Sequence, residues 1–329
     1  MEHNKKVYFL FFSTYFFYKS IIYLLGGQNS KFMQFKDLSI VIVNFETYDL
    51  TRQTILSILN SNTPFDYEII VVDNDSSDDS LEKLESDFQE YVTFIKAENN
   101  LGFAKANNLA IKEATGEHVL LLNSDTVLES DTVLKVMDFI RFDCECFGFH
   151  KEDIGAVGCK VLLENGELDK ACRRSFPDVD VSFYRMSGLS KLFPKSERFN
   201  RYNMGYLSED DTYEVDCLTG AFMLVPRHVI DEVGLLDESF FMYGEDIDWC
   251  YLIKQAGYKI IYYSGTSITH FKGGSSTNPK LIYEFYWAMQ FFYDKHYKAQ
   301  HNILVTGFIY TGIWLTYTIK RFLNIFRRK

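Results

Sequence analysis

The sequence predicts an α/β fold in which a mostly parallel β-sheet carries helices on both faces. Between residues 39 and 122, short apolar runs alternate with helical patterns, and this alternation is typical of a βαβαβ unit. The apolar runs are continuous, which indicates strands that are buried on both sides of the sheet. With 329 residues, 47% of them hydrophobic, and only 5 prolines, the chain can bury one large core.

The first two predicted strands each end in polar residues. Residues 39–44 (SIVIVN) form a β-branched run, and Asp49 is a suitable N-cap for the helix that follows. Residues 68–72 (EIIVV) repeat this pattern and break at Asp73 into an acidic, serine-rich turn. A second, polar helix follows that turn.

The third predicted strand follows a helical pattern at residues 103–114. Residues 118–122 are apolar and lead into Asn123-Ser124-Asp125. In parallel sheets, ligands gather beyond the carboxyl ends of the strands, so Asn44, Asp73 and Asp125 are candidates for ligand binding. No G-x-G-x-x-G motif follows the first strand, which excludes the dinucleotide fingerprint of an oxidoreductase.

The second half of the chain is less regular. Residues 157–163 and an Asn165-Gly166 turn predict a β-hairpin, and residues 215–225 predict one continuous strand. Residues 176–212 between them are polar, aromatic and irregular. Pro226 then opens a short helix.

An acidic cluster, residues 244–248 (GEDID), introduces the next predicted helix, which ends at Gly257. Residues 258–263 predict a further strand. His270 and a glycine-serine loop at residues 273–277 follow that strand.

Charge and cysteine content narrow the class of protein. Lys+Arg 34 against Asp+Glu 45 gives a net charge of -11 without a basic stripe, so nucleic-acid binding is not expected. The 6 cysteines lie at irregular spacings in a chain too large to depend on disulfide bonds. This favours reduced thiols in a cytosolic setting. Cys144 and Cys146 alone make a poor zinc pair.

Apolar segments near both ends predict membrane-associated helices. Residues 7–25 are apolar apart from Lys19 and a few hydroxyls, and residues 303–319 carry no charge and precede a basic tail. At ~1.5 Å per residue, the second segment would be about 25 Å long, short of the ~30 Å hydrocarbon core. We therefore expect both segments to lie in or dip into the cytoplasmic face of the membrane, with the tail on anionic lipid.

Other arrangements of these ends remain open. Helices packed on the protein's own surface would carry the same pattern, and so would a cleaved signal peptide, although no small-residue cleavage site follows Leu25. If both segments spanned, the positive-inside tendency would place the central domain outside the cell, which reduced cysteines oppose. The predicted regions are residues 1–36, a domain at 37–298 with halves at 37–150 and 151–298, and a terminal helix at 299–329.

Acidic residues near the predicted sheet edge suggest a cation site. Mg²⁺ and Mn²⁺ prefer oxygen ligands, so Asp125 is a candidate ligand, and His270 can add a nitrogen that Mn²⁺ tolerates. Asp125 would equally serve as a helix N-cap, and His270 as a structural residue. Glu245, Asp246 and Asp248 are candidates for acid–base chemistry, or acids that stabilise a first helical turn.

A series of motifs runs in order through residues 38–297. They are SIVIVNFE, EIIVVDNDSSDDS, NLGFAKANNLAI, VLLLNSD, TGAFMLV, GLLDESFFMYGEDIDWCYLIKQAGYKI and ITHFKGGSS. In this order and spacing the chain resembles glycosyltransferase family 2, the inverting nucleotide-sugar transferases, and looks most like its bacterial rhamnosyltransferase-type members. The resemblance implies a GT-A fold with a Rossmann-like nucleotide-binding sheet, and a divalent cation, Mg²⁺ or Mn²⁺, as cofactor.

The resemblance also implies roles for individual residues. It places Asn123-Ser124-Asp125 at the family's D-x-D position, where Asn123 replaces the first carboxylate and only Asp125 can ligate as an anion. His270 would complete the metal site. Asp246 would be the catalytic base, with Glu245 and Asp248 positioning the acceptor and its loop. The residues implied to bind the nucleotide sugar are Asn44, Asp73, Asn100, Asn123, Gly220 and Ala221.

The implied reaction transfers a sugar, with dTDP-rhamnose as one candidate donor, to a hydroxyl of a glycan or a polyprenyl-diphosphate-linked saccharide. The implied pathway is synthesis of O-antigen, capsule or another surface polysaccharide. Galactofuranose, glucose and N-acetylhexosamine are alternative donor sugars, and a nucleotide-sugar hydrolase and a non-catalytic binder or assembly scaffold are rival classes. Residues 273–277 would close over the diphosphate, or form an ordinary loop. The aromatic residues of 283–293 suit a lipid-linked acceptor, and equally suit a core helix.

Overall fold

The predicted α/β architecture is confirmed by a computed structural model, which describes residues 36–272 and 278–327. Within this part of the chain, the strands form one mixed nine-stranded sheet. They are β1 (Lys36–Asn44), β2 (Tyr67–Asp73), β3 (Val92–Lys96), β4 (Gly116–Asn123), β5 (Thr126–Leu128), β6 (Ile154–Leu163), β7 (Tyr213–Val215), β8 (Phe222–Pro226) and β9 (Lys259–His270). Their order is β3-β2-β1-β4-β8-β6-β9-β5, and β7 also pairs with β9.

Helices connect these strands and extend beyond the sheet. They are α1 (Tyr48–Leu59), α2 (Ser80–Phe88), α3 (Phe103–Glu113), α4 (Thr132–Asp138), α5 (Val179–Met186), α6 (Leu189–Leu192), α7 (Arg227–Val233), α8 (Glu245–Gln255), α9 (Pro279–His296) and α10 (Ile303–Arg327). Three regions predicted from sequence lie outside the described residues: the N-terminal apolar segment up to residue 35, the loop at residues 273–277, and the last two residues of the basic tail.

The first four strands in sequence are all parallel, as the continuous apolar runs predict. β1 pairs with β2 on one side and β4 on the other, and its residues Ile40, Val41 and Ile42 are fully buried. Both faces of β1 are covered, so its side chains need not alternate between apolar and polar along the strand. The pairing places Asn44 opposite Asp73 at the carboxyl edge of the sheet.

Strand β3 was missed by the sequence analysis. It pairs only with β2 and lies at the edge of the sheet. Val92 is buried, whereas Thr93 and Lys96 are exposed, so the strand lacks the continuous apolar run of its neighbours. The predicted N-cap Asp49 was also misplaced by two residues, because Thr47 occupies the N-cap of α1 and Asp49 lies in its first turn.

Strand boundaries in the second half differ from those predicted. The single strand expected at residues 215–225 is wrong, because β7 pairs with β9 while β8 lies between β4 and β6, and the chain must cross from one partner to the other. The strand expected at 258–263 continues to His270 after a register shift against β6. The hairpin expected around Asn165 is reduced to one bridge between Leu162 and Leu168.

A close contact joins the start of α3 to the loop before the acidic cluster. The Phe103 N–H donates to the Phe241 carbonyl oxygen at 2.7 Å. Gly102 has φ +78, and a Cβ atom there would lie 2.2 Å from that same oxygen, so only glycine fits. This contact holds the loop that leads into α8 against the start of α3.

The C-terminal helix α10 packs along the aromatic helix α9. Trp314 Nε1 donates to Gln290 Oε1 at 2.6 Å, and the hydroxyls of Tyr293 and Thr306 lie 3.0 Å apart. Ile313 is buried against α9. The aromatic side chains of α9 therefore have mixed surroundings, since Phe292 and Tyr293 are buried while Tyr283 is 42% exposed.

Candidate active site

The carboxyl edge of the parallel strands carries a buried hydrogen-bonded pair. Asn44 Nδ2 donates to Asp73 Oδ2 at 2.7 Å, and Thr51 donates to Asn44 Oδ1 at 2.7 Å. Asp73 also accepts from the backbone N–H and hydroxyl of Ser76. Both Asn44 and Asp73 are almost wholly buried. They lie at the predicted edge of the sheet, where their hydrogen bonds hold the turn after β2 in place.

Asn100 lies beside this pair, in the loop before α3. Its Oδ1 accepts from the Gly102 N–H at 3.1 Å and from Asn74 Nδ2 at 3.3 Å. Asn74, which sequence reasoning missed, also accepts from the Leu101 N–H at 2.8 Å. Asn74 directly follows Asp73, and its position after a strand was the signal for it. The two amides therefore link the turn after β2 to the start of α3.

The residues at the D-x-D position meet His270 at the end of β9. His270 Nε2 lies 3.0 Å from Asp125 Oδ1 and 3.4 Å from Asn123 Nδ2. The antiparallel pairing of β5 with β9 sets Thr126 opposite His270 and so brings these residues together. Asn123 Oδ1 is buried and has no hydrogen-bond partner among the described residues. A buried acceptor of this kind indicates that a ligand group belongs beside it.

A carboxylate and an imidazole fit a divalent cation that shares its remaining positions with phosphate oxygens. No group of three or more potential metal-ligating side chains occurs in the described residues, so Asp125 and His270 would be the protein's own ligands. Burial lowers the pKa of His270, but the nearby carboxylates of Asp125 and Asp169 outweigh it and raise the pKa to about 9. A divalent cation at this position would compete with the proton of His270 for the same carboxylates.

The acidic cluster begins α8 after two left-handed residues, Tyr243 (φ 71) and Gly244 (φ 88). Asp246 accepts a hydrogen bond at 2.7 Å from Nη2 of Arg174, and both side chains are mostly buried. Arg174 also donates to the Leu218 carbonyl oxygen at 2.6 Å. Sequence reasoning missed Arg174, whose local signal is the arginine pair Arg173-Arg174 just before the irregular stretch at residues 176–212.

Glu245 forms no ion pair with a residue that the structure describes. The residue is buried, and its Oε2 has no hydrogen-bond partner in the part of the chain that the structure describes. Burial, followed by the charge of Asp246, raises the pKa of Glu245 to about 8. The carboxyl group is therefore mostly protonated at neutral pH and can donate a hydrogen bond.

Glu245→Gln is expected to raise Tm more at about pH 9 than at about pH 5. A carboxyl group whose pKa is raised by folding contributes stability that is fully present below its unfolded pKa and is lost as pH rises through about 8. Glutamine does not titrate, so it avoids this loss. Thermal unfolding across that pH range measures the difference. The exposed Glu98→Gln should show no such trend, and a pH-independent difference for Glu245→Gln would contradict the assignment.

Asp248 lies at the junction of α8 and α9. It is 0% exposed, and its carboxylate lies 2.9 Å from Lys295 Nζ and 2.6 Å from His296 Nε2. Its contacts therefore attach α9 to the helix that carries Asp246.

Gly220 and Ala221 lie between Asn123 and the acidic cluster. A Cβ atom at Gly220 would lie 3.1 Å from the Phe103 ring, and the Asn123 N–H donates to the Ala221 carbonyl oxygen at 3.2 Å. The same short segment begins at Leu218, which accepts from Arg174. Residues 218–221 therefore connect the surroundings of Asn123 to those of Asp246.

The chain is similar to a known protein family and to several known proteins. Residues 36–284 match the family model described as glycosyltransferase like family 2. The chain is 25% identical over 230 residues to a low-salt glycan biosynthesis hexosyltransferase of Haloferax volcanii, covering 68% of this chain and 64% of that protein. It is 29% identical over 244 residues to the rhamnosyltransferase WbbL of Escherichia coli, covering 70% and 82%. An O-antigen biosynthesis protein of Myxococcus xanthus is 23% identical, with 76% of this chain and 18% of that protein covered.

Solved structures of low sequence identity share the fold. A mannosyltransferase from Pyrobaculum calidifontis, solved with GDP-Man and Mn²⁺, has a TM-score of 0.54 at 13% identity and covers 95% of this chain and 80% of its own. Residues 1–349 of Staphylococcus aureus TarS, solved with UDP-GlcNAc, give 0.51 at 17% identity, with 84% and 71% covered. The GT-A fold expected from the sequence is thereby confirmed. Because the family model matches most of its length, the chain belongs to glycosyltransferase family 2.

Proposed function

We propose that this protein is an inverting glycosyltransferase that moves a sugar from a nucleoside-diphosphate donor to a hydroxyl group of a saccharide acceptor. The observation that carries this proposal is the pairing of two sites through residues 218–221. One site holds Asp125 beside His270, and the other holds Asp246 against a buried arginine. The first suits a diphosphate with its cation, and the second suits a base that acts on an acceptor hydroxyl.

Asp246 would accept the proton of the acceptor hydroxyl as that oxygen attacks the anomeric carbon. The new carbon–oxygen bond forms on the face opposite the departing nucleoside diphosphate, whose bond to the sugar breaks, so the configuration inverts. Arg174 donates to Oδ2 of Asp246 and so fixes the direction of the carboxylate. Glu245, which is mostly protonated, would donate a hydrogen bond to the sugar or acceptor.

Asp125 and His270 would hold the divalent cation, Mg²⁺ or Mn²⁺. When bound, such a cation neutralises the charge that builds on the departing diphosphate. Asn123 would contribute its unpartnered Oδ1 to the donor's ribose or sugar, and Gly220 and Ala221 would leave room for that sugar. Asp73 and Asn100 would border the nucleotide, and Asn44 would hold Asp73 in position.

The donor sugar is proposed from the relatives. A rhamnosyltransferase at 29% identity supports rhamnose, carried on dTDP, as the first candidate. Relatives that are named a hexosyltransferase and a poly(ribitol-phosphate) beta-glucosyltransferase support glucose or another hexose, including galactofuranose, as alternatives. A poly-beta-1,6-N-acetyl-D-glucosamine synthase at 30% identity supports an N-acetylhexosamine. An O-antigen biosynthesis protein among the relatives supports a cell-surface polysaccharide as the product.

Thermal stabilisation by a panel of nucleotide sugars with Mn²⁺ or Mg²⁺ tests the donor and the cation together. We expect one donor to raise Tm only when a cation is present, and we expect Asp125→Ala to abolish that rise. Glu129→Ala, an exposed acid on the next loop, should retain it. If no donor stabilises the protein with either metal, the proposed site is wrong. If turnover releases the sugar to water and acceptors do not compete, the protein is a hydrolase.

A continuous exposed apolar surface supports attachment to the membrane. More than half of the side-chain surface is exposed at several residues of α10: Ile303, Leu304, Phe308, Leu315, Ile319, Phe322 and Leu323. Ile303–Asn324 is also long and apolar enough to cross a membrane. The short helices α5 and α6 extend this surface, because the Phe183 ring lies 6.5 Å from Phe308 and Leu192 is 70% exposed.

Because α10 packs along α9, we propose that it lies in the interface of the cytoplasmic leaflet rather than across it. Lys191, Lys320 and Arg321 are exposed beside the apolar side chains and would contact anionic headgroups. A polyprenyl-diphosphate-linked saccharide in the same leaflet would then be within reach as the acceptor.

Leu192→Glu and Leu315→Glu are each expected to weaken binding to phosphatidylglycerol vesicles by about tenfold or more, because each removes an apolar side chain from the interface. Cosedimentation of the full chain with vesicles measures this binding. Tyr91→Glu, at an equally exposed residue far from α10 in sequence, serves as the control. Undiminished binding of both leucine variants would show that this surface does not contact lipid.

A further inference from the structure

We propose that Asp169 is a positioning residue that orients His270 toward the divalent cation. This inference rests on the cation site of the proposed function. Asp169 follows the turn after β6 and is 5% exposed. Its Oδ2 lies 3.5 Å from Nδ1 of His270, while Nε2 on the opposite side of the same ring lies 3.0 Å from Asp125. The imidazole therefore stands between two carboxylates, one at each ring nitrogen.

The two oxygens of Asp169 have different surroundings. Oδ1 accepts from the Ala171 N–H at 3.1 Å, which caps the short 3₁₀ helix Lys170–Cys172, and from Lys272 Nζ at 3.0 Å. Capping needs only one oxygen, and Oδ2 is left to face His270. Nδ1 of His270 is buried and makes no hydrogen bond to a described residue. Oδ2 of Asp169, at 3.5 Å, is the acceptor that could bind its hydrogen.

The 3.5 Å between Nδ1 of His270 and Oδ2 of Asp169 is slightly longer than a hydrogen bond. Ligating histidines donate their second N–H to a carboxylate or carbonyl, which fixes the tautomer and raises the basicity of the ligating nitrogen. With Nδ1–H directed at Asp169, the lone pair of Nε2 would be available to a cation that Asp125 also binds. A small movement of the ring toward Asp169 would close this contact to hydrogen-bond distance.

Asp169 is itself held rigidly, as a positioning residue must be. Its N–H donates to the Val161 carbonyl oxygen at 2.8 Å, which ties it to β6. Strand β6 runs parallel to β9, and Leu163 lies opposite His270 in that pairing. Asp169 and His270 are therefore attached to adjacent strands of one sheet, so their separation is set by the strand register.

Asp169→Asn is the variant that tests this role. Asparagine keeps the size of the side chain and one oxygen to accept from Ala171, but it removes the carboxylate that faces Nδ1. We expect the affinity of the full-length protein for Mn²⁺ alone, measured by calorimetry and by the EPR signal of free Mn²⁺, to fall by about tenfold or more. Asp169→Glu, which retains a carboxylate, should recover part of that affinity.

Lys272→Met separates orientation of His270 from the other contact of Asp169. It removes the ion pair with Asp169 while leaving the imidazole and both carboxylates in place. We expect this variant to bind Mn²⁺ with less than about threefold loss. If Lys272→Met lowers Mn²⁺ affinity as much as Asp169→Asn does, the role of Asp169 is structural and the proposal is overturned.

The outcomes also separate this inference from the proposed cation site. If wild type binds Mn²⁺, Asp125→Ala loses it and Asp169→Asn does not, the cation site stands and the role of Asp169 is overturned. If wild type and Asp125→Ala bind Mn²⁺ equally, the cation site is wrong and the inference falls with it. If Asp169→Asn unfolds, Asp169→Ser replaces it, because a serine hydroxyl can still accept from the Ala171 N–H. Equal Mn²⁺ affinity of Asp169→Ser and Asp169→Glu would then overturn the proposal.

Discussion

Sugar transfer by the Asp246→Asn variant is expected to fall by at least ~10²-fold, while affinity for the donor stays within about threefold. Asparagine cannot accept the proton of the acceptor hydroxyl, so the attacking oxygen loses its base. It does keep an oxygen that can accept the hydrogen bond from Nη2 of Arg174, which lies 2.7 Å from Asp246 in the wild type. Steady-state transfer kinetics and donor binding by calorimetry measure the two quantities separately.

Asp231→Asn provides the matched control for this change, since it makes the same substitution at an exposed position on α7. Activity of Asp246→Asn within a few-fold of wild type would show that Asp246 is not the base. Complementation in cells that lack the protein distinguishes the rival scaffold role. A scaffold would tolerate Asp246→Asn, whereas an enzyme with this base would not.

Asp248→Ala is expected to lower the free energy of unfolding by ~3–5 kcal/mol, the range measured when one partner of a buried ion pair is removed. Asp248 is wholly buried and accepts from both Lys295 and His296. Without it, the Lys295 ammonium group keeps Asp237 as its partner among the described residues, and His296 loses the carboxylate that it contacts. Denaturant unfolding of the full chain measures the change.

A second substitution shows whether unpaired charge causes the loss. Adding Lys295→Met to Asp248→Ala should recover part of the stability, because it removes the cation that the first change leaves without its buried partner. As a control, Asp131→Ala removes an acid from an exposed i,i+4 pair with Lys135 and should cost less than about 1 kcal/mol. A loss below about 1 kcal/mol for Asp248→Ala would contradict the importance of this contact between α8 and α9.

Features that depend on local pattern could be predicted from the sequence. Asn44, Asp73 and Asp125 were predicted at one edge of the sheet because each follows a continuous apolar run, and parallel strands align their carboxyl ends. The three strands end at Asn44, Asp73 and Asn123, two residues before Asp125. The acidic first turn of α8 predicted where the helix starts, and the glycine that follows predicted where it ends.

Features that depend on distant partners could not be predicted in this way. Arg174 meets Asp246 from 72 positions away, and Asp169 meets His270 from more than 100, so neither pair leaves a periodic signal. The predicted strand at residues 215–225 is divided because β7 pairs with β9 whereas β8 pairs with β4. Amino-acid composition does not show which strands will pair. The edge strand β3 escaped detection because its partial exposure gives it mixed polarity.

The segment at residues 218–221 constrains how this protein could change its specificity. One end accepts a hydrogen bond from the arginine that holds the base, and the other accepts from the backbone of Asn123. If Gly220 and Ala221 line the proposed donor site, we expect a larger side chain at either position to disturb both of these contacts. Substitutions at residues 218–221 that change the donor sugar would therefore also lower turnover. Natural or engineered variants that exchange one sugar for another should place their substitutions elsewhere around the proposed donor site.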